Sequence, residues 1–231
     1  MSEDSTWVST RATVLRTSAG VGVATGAYGL SFGALGTAAD LTVAQTCALS
    51  VLLFSGGSQF ALVGVLSGGG NALSGSASAI LLGTRNMLYG ASLARLLQLR
   101  GIRRVVGAQL VIDESTAVGL GSEEHGERAG RLGFWATGLA VFLLWNLATL
   151  IGAVAGREIG DPRDLGLDAA VPAAFLALLA PRLRERSLWW IALVGAAVAV
   201  AVVPVVPAGV PVLVAALVAV GAVVVRRQGA P

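Results

Sequence analysis

Long apolar runs bounded by charges or prolines recur along this chain, over residues 19–38, 42–66, 72–97, 132–155, 167–180, 188–206 and 210–225. A hydrocarbon layer about 30 Å thick is crossed by roughly 20 helical residues rising 1.5 Å each, so these runs predict helices that traverse a lipid bilayer. Composition speaks against a soluble alternative. Charged residues make up 13% of the chain, against about 25% in an ordinary soluble domain, and their short clusters cannot cover a water-facing surface. The expected fold is an all-α, polytopic transmembrane bundle of about seven spans, a single membrane domain over 1–231. Residues 1–18 form a polar tail, and an arginine-rich, acidic region over 99–131 separates the third and fourth spans. The polar start precedes no small-residue cleavage site, which predicts a first span that inserts and stays. The fifth run is short and opens near Asp168 and Pro172, so a tilted or partly unwound start is expected there.

Arginine placement suggests the orientation, because cytoplasmic loops hold an excess of basic residues. Arg100, Arg103, Arg104, Arg128 and Arg131 form one cluster, Arg182, Arg184 and Arg186 a second, Arg226 and Arg227 a third. Two spans separate successive clusters, so all three fit on one side, assigned to the cytoplasm. Counting back three spans from Arg100 places the N-terminus outside, although Arg11 and Arg16 favour the inside. Three runs before the central region and at least three after it give the odd number that a 3+3 inverted repeat with one extra helix requires.

Several chemistries are excluded. Every basic side chain is Arg, so a P-loop lysine, a Schiff base and a lysine general base are absent. The single cysteine, Cys47, permits neither an internal disulfide nor a cysteine metal cluster and reads as a small packing residue. The net charge of +3 is accounted for by juxtamembrane arginines rather than by nucleic-acid binding. His125 falls in a charged loop and reads as solvent-exposed, and no nucleophile–base–acid set or zinc-ligand spacing occurs. Neither an enzyme nor a cofactor nor a metal is expected.

Polar groups at membrane depth carry the functional signal. In the second run, Ser55-Gly56-Gly57-Ser58-Gln59 interrupts apolar sequence. Such groups are costly unless satisfied, and a helix break at the glycine pair would free backbone donors and acceptors for a solute. Polar glue between helices is the alternative. Arg85 beside Asn86 sits near the middle of the third run, with Tyr89 one turn on. A guanidinium at the bilayer centre costs at least ~2.5–3.5 kcal/mol on insertion scales, so a buried acid, helix-end carbonyls, a partner subunit or a substrate carboxylate must face it. Asp113-Glu114-Ser115-Thr116, in the weakly apolar stretch 105–120 that could dip into the bilayer, offers a proton relay, a solvated helix start or partners for Arg103 and Arg104. The candidates for substrate binding are therefore Ser55, Ser58, Gln59, Arg85, Asn86 and Tyr89, and those for coupling Asp113, Glu114 and Asp168. Glycines at Gly22, Gly26, Gly29 and Gly33 read either as close helix packing or as the lining of a path.

These same motifs carry a family resemblance. Ser31-Phe32-Gly33, SGGSQFA from Ser55 to Ala61, TRNMLYGASLA from Thr84 to Ala94, Asp113-Glu114-Ser115, Asp161-Pro162 and GLDAAVPAAF from Gly166 to Phe175 follow one another in an order that resembles the AzlC family. That family supplies the larger subunit of bacterial branched-chain amino acid exporters. The resemblance implies export of leucine, isoleucine or valine across the cytoplasmic membrane by a multi-pass permease, with an ion gradient, a proton for preference, as the drive. It also implies a small hydrophobic partner of the AzlD type. Members often carry a proline in the first run and a histidine close after the third-run arginine. Here Ala24-Thr25-Gly26 and Asn86 stand in those places, so any proton role of that histidine has no counterpart. A channel-like pore subunit and a non-transporting scaffold are the alternatives in other functional classes.

Overall fold

The computed structural model of the protein describes residues 3–158, 172, 173, 176, 179, 180 and 185–228. The fifth apolar run, apart from Pro172, Ala173, Leu176, Leu179 and Ala180, lies outside the described residues. Asp168 and the loop beyond Glu158 lie outside them too. The described residues are helical and contain no strand.

Two long helices form the frame, α1 (Glu3–Ala38) and α8 (Glu127–Glu158). They run parallel and in close contact because small residues face each other along both. Cβ atoms added at Gly22 and Gly26 would fall 2.7 Å from the Cβ atoms of Ala140 and Leu144, while Gly152 and Gly156 of α8 lie against Leu30 and Ala34. Lipid supplies no hydrophobic drive between helices, so backbone approach of this kind and the hydrogen bond from Thr137 Oγ1 to Ser18 Oγ, 2.9 Å, hold the pair. Of the two readings of the glycine stripe, helix packing is the one realised, since α1 is unbroken.

Parallel packing corrects the expected orientation. Arg128 stacks 4.1 Å over the Trp7 ring, so the start of α1 shares one end of the bundle with the start of α8, and Arg11 and Arg16 join the large arginine cluster there. The second apolar run is not one continuous helix but turns back on itself, as follows.

Helix α2 (Val43–Leu52) leaves the far end of α1 and stops at the middle of α8, where Ser50 Oγ donates to Thr149 Oγ1 at 3.2 Å. After three residues α3 (Gly56–Ser67) begins beside Trp145, and α4 (Ala72–Gly83) returns antiparallel to it, with Gly75 against Leu62 and Gly83 against Ser58. Helix α5 (Arg85–Leu97) then continues α4 through Thr84, whose helical φ −58°, ψ −27° makes a bend rather than a reversal. Together α4 and α5 traverse the bundle to the arginine end, where Arg131 Nε donates to Leu96 O at 2.8 Å. It follows that α3 runs back to the far end, so α2 and α3 form a hairpin that turns at the middle of the bundle.

The stretch 105–120 makes a second hairpin from the opposite end. Helix α6 (Gly101–Gln109) descends from the arginine end until Leu110 lies over Gly138. Helix α7 (Asp113–Glu123) climbs back, with Gly119 against Phe134 and Arg95 paired to Glu123 at 3.0 Å. The two tips touch, for Gln109 Nε2 donates to Val51 O at 2.7 Å.

Helices α9 (Arg186–Val202) and α10 (Val210–Gln228) are joined by a turn carrying Pro204 and Pro207. That turn packs on the α3–α4 turn, where Gly70 meets Ala208 O. Only α8 among the described helices is long and apolar enough to cross a membrane unbroken; Val43–Leu52 and Leu188–Val202 are shorter apolar helices. The interior between α1, α3 and α8 is aromatic, with the Phe32, Phe60 and Trp145 rings 5.9–6.3 Å apart.

Candidate functional site

A cavity of about 170 Å³ lies where the hairpin tips meet α1, α5 and α8. This is below the ~300 Å³ at which pockets for drug-sized ligands begin, and suits a small solute. Its wall has three chemically distinct parts.

The first comes from the tip of α2–α3. Leu53, Phe54 and Ser55 leave helical geometry, Ser55 being extended at φ −158°, ψ 103° with no capping bond from its side chain. Ser55, Gly56 and Gly57 therefore line the cavity with the opening backbone of α3. A helix N-terminus has unpaired N–H groups and a partial positive charge, both suited to an anion. Space is tight at both glycines. A Cβ at Gly56 would stand 3.2 Å from the Trp145 ring, and one at Gly57 2.9 Å from Arg85 Nη2.

The second part is charged. Arg85, first residue of α5, points across the cavity to Asp113, first residue of α7, with Nη2 2.7 Å from Oδ2. Tyr89, one turn along α5, donates from its hydroxyl to Asp113 Oδ1 at 2.5 Å. The spacing of Arg85 and Tyr89 on one helix face thus serves a single carboxylate. The two side chains of the pair are 29% and 30% exposed, so the pair is reachable from the cavity. Glu114 lies alongside in the cavity wall, which Thr25 of α1 also lines. With both acids ionised, one cation and two anions leave an excess negative charge.

The third part is apolar: Phe54, Phe60, Ile112, Val141 and the Trp145 ring.

Each helix break is satisfied by a side chain reaching back from the helix that follows. Gln59 Nε2 donates to Ser50 O at 3.3 Å and to Leu53 O at 2.9 Å, closing the end of α2. Ser115 Oγ donates to Leu110 O at 2.6 Å and accepts from Ile112 N at 3.1 Å, closing the end of α6. Carbonyls freed in a buried interior are expensive to leave unpaired, which explains why a glutamine and a serine sit there.

The residues expected from sequence divide accordingly. Ser55 and Arg85 line the cavity with Asp113 and Glu114, and Tyr89 holds Asp113. Gln59 and Ser58 are buried behind it, Ser58 against the end of α4, and Asn86 is half-buried outside the lining set. Asp113 pairs with Arg85 rather than with Arg103 or Arg104. Asp168 lies outside the described residues. Cys47 is a half-buried free thiol and His125 is exposed. Thr25, Tyr28, Val141 and Trp145 line the site without having been singled out. A threonine or tryptophan in an apolar helix carries no periodic or motif signal of its own, so only the packing of α1 on α8 reveals them.

Among the described residues, three buried donors in the wall have no hydrogen-bond partner: Ser55 Oγ, Arg85 Nε and Trp145 Nε1. Ser58 Oγ and Thr116 Oγ1, outside the lining, are buried without a partner as well, although buried donors in folded proteins are nearly always paired.

Comparison with known proteins gives two findings. The sequence model of the family described as AzlC protein matches residues 20–159, which takes in α1 to α8 from Gly20 and the whole cavity. A protein of Archaeoglobus fulgidus described as an uncharacterized membrane protein is 31% identical over 158 residues, 68% of this chain and 68% of that protein. No solved structure matches the chain.

Proposed function

This chain belongs to the AzlC family, and on that premise we propose that it is the larger subunit of a secondary transporter exporting leucine, isoleucine and valine across the cytoplasmic membrane. The observation that carries the reading is a cavity that brings the opening of α3, the Arg85 guanidinium and two carboxylates, Asp113 and Glu114, together with an apolar wall. A branched-chain amino acid is a carboxylate, an ammonium and an aliphatic side chain. The α3 N-terminus with Ser55 and Arg85 receives the carboxylate, Asp113 and Glu114 the ammonium, and Phe54, Phe60, Ile112 and Val141 the side chain.

Coupling to an ion gradient, a proton for preference, is assigned to Glu114. Asp113 is held by Arg85 and Tyr89, whereas Glu114 lines the same cavity with no ion-pair partner among the described residues and so carries the excess charge. Protonation removes that charge and makes empty and loaded cavities electrically alike, which is what alternating access needs.

The hairpins support a polytopic arrangement with an inverted repeat, α1–α4 against α5–α8, divided at Thr84 rather than within residues 99–131. Half-length helices whose N-termini meet at the midplane are a recurring transporter design. The small AzlD-like partner belongs to this reading as the family implies it.

Counterflow of labelled leucine into proteoliposomes holding the chain with that partner tests the proposal. Saturable counterflow, inhibited by isoleucine and valine, is expected. Absence of counterflow would remove the transport reading, and flux that never saturates would leave a pore.

A further inference from the structure

Away from the cavity, the arginine end of the bundle holds a second concavity, open to the surface and lined by Arg100, Arg103, Arg131 and Trp135 together with residues 97–99. We infer that this concavity binds the phosphate headgroup of an anionic phospholipid, seated where α6 leaves the arginine end of the bundle.

Three observations converge. The lining contains three guanidinium groups and no acid. Arg131 is anchored, its Nε on Leu96 O and its Nη2 3.3 Å from Glu127, so its charge is already balanced. Arg100 and Arg103 have no ion-pair partner among the described residues, and both are exposed. The local backbone then brings these groups together. Gln98 and Gly101 adopt left-handed φ of 48° and 56°, which folds the α5–α6 link tightly and leaves Arg100 extended at the start of α6 without a side-chain cap. Gly107, one turn beyond Arg103, lies against Leu99 and 3.8 Å from the Trp135 ring by its notional Cβ, so this face of α6 closes on the concavity.

The opposite face decides between a lipid and a free anion. Ile102 and Val105 are 73% and 65% exposed, and Val106 is exposed beside them. Helix α6 therefore presents an apolar strip to one side and arginines to the other, so a lipid whose phosphate meets the arginines at the start of α6 can lay its acyl chains along the strip as α6 descends. Basic pockets between helices on the arginine-rich side of membrane proteins bind anionic headgroups, and a tryptophan at that depth has the matching amphipathic character. A free phosphate would use the arginines and leave the apolar strip without purpose. The inference requires a membrane protein; it does not depend on transport.

The test is titration calorimetry of the detergent-solubilised full chain with short-chain phosphatidylglycerol, phosphatidylcholine and inorganic phosphate. Phosphatidylglycerol is expected to bind and phosphatidylcholine to bind far less, and millimolar phosphate is expected not to displace the lipid. Each arginine near an anionic lipid surface contributes about 1 kcal/mol, so the Arg100→Gln/Arg103→Gln variant should bind phosphatidylglycerol roughly 30-fold more weakly. The corresponding double lysine variant and Arg95→Gln should stay within about threefold of the wild type on the same per-charge scale. Should the glutamine variant fail to fold, wild-type affinity at low and high salt decides, because an electrostatic headgroup site must weaken as salt rises. Equal binding of both lipids, displacement by phosphate, unchanged affinity in the glutamine variant, or insensitivity to salt would each overturn the inference.

Discussion

The two hairpins solve the same problem with one neutral and one acidic tip. Each ends one helix and starts another at the middle of the bundle, and each closes its broken end with a side chain from the second helix, Gln59 in one and Ser115 in the other. The α2–α3 tip is uncharged and offers Ser55, Gly56 and Gly57. The α6–α7 tip begins its second helix with Asp113 and Glu114. Acids in a first turn satisfy the positive end of their own helix. Consequently α7 supplies its own anions, while α3 is left to receive one from outside. Arg85 stands between them, tied to the acidic tip and aimed over the neutral one. A near-symmetric backbone thus becomes polar across the cavity, which is what a zwitterion requires.

The largest effect should come from removing the link between the tips. Arg85→Ala is expected to lower leucine counterflow at least about 100-fold, since both a charge-assisted carboxylate contact and the pairing of Asp113 are lost. Adding Asp113→Ala should restore folded yield without restoring counterflow; recovery of counterflow in the double variant would assign Arg85 a structural task alone. Next is Glu114→Gln, which should cut gradient-driven accumulation about tenfold, in the range of a lost proton-transfer group or below it, yet leave exchange of labelled for unlabelled leucine in place. Equal loss of both would merge the roles of the two acids. Gly57→Ala tests the neutral tip. Its Cβ would displace the mobile end of Arg85, so a few-fold weaker apparent affinity is expected at unchanged abundance, about 1 kcal/mol in free energy. The smallest effect on transport per molecule belongs to Gln59→Leu. Because Gln59 serves the α2 carbonyls and not the cavity, about 1–3 kcal/mol of stability should go, seen as lower abundance with affinity intact.

Much of the site was legible in the chain and the topology was not, for one physical reason. Arginine, paired acids and a glycine pair in apolar surroundings announce themselves because hydrocarbon penalises them wherever they sit. Direction of travel carries no such penalty. Residues 42–66 are apolar enough to cross a bilayer, and only the pairing of α3 with α4 reveals that they double back. The same blindness placed the N-terminus at the wrong end, although Arg11 and Arg16 already argued for the arginine end. Gln59 was ambiguous because a polar group beside a helix break reads alike whether it serves the backbone or a solute. Trp145 and Thr25 gave no signal, since their importance arises from α1 lying parallel to α8 on a stripe of glycines.

Everything functional rests on a solute entering between the tips, and chemical protection measures that directly. In a Cys47→Ser background, Thr25→Cys places a thiol in the cavity wall beside Glu114. Its reaction with a small maleimide in membrane vesicles should slow severalfold as leucine is added and stay unchanged with lysine. A labelling rate indifferent to saturating leucine, in a protein that still carries out counterflow, would place the solute elsewhere and contradict the account.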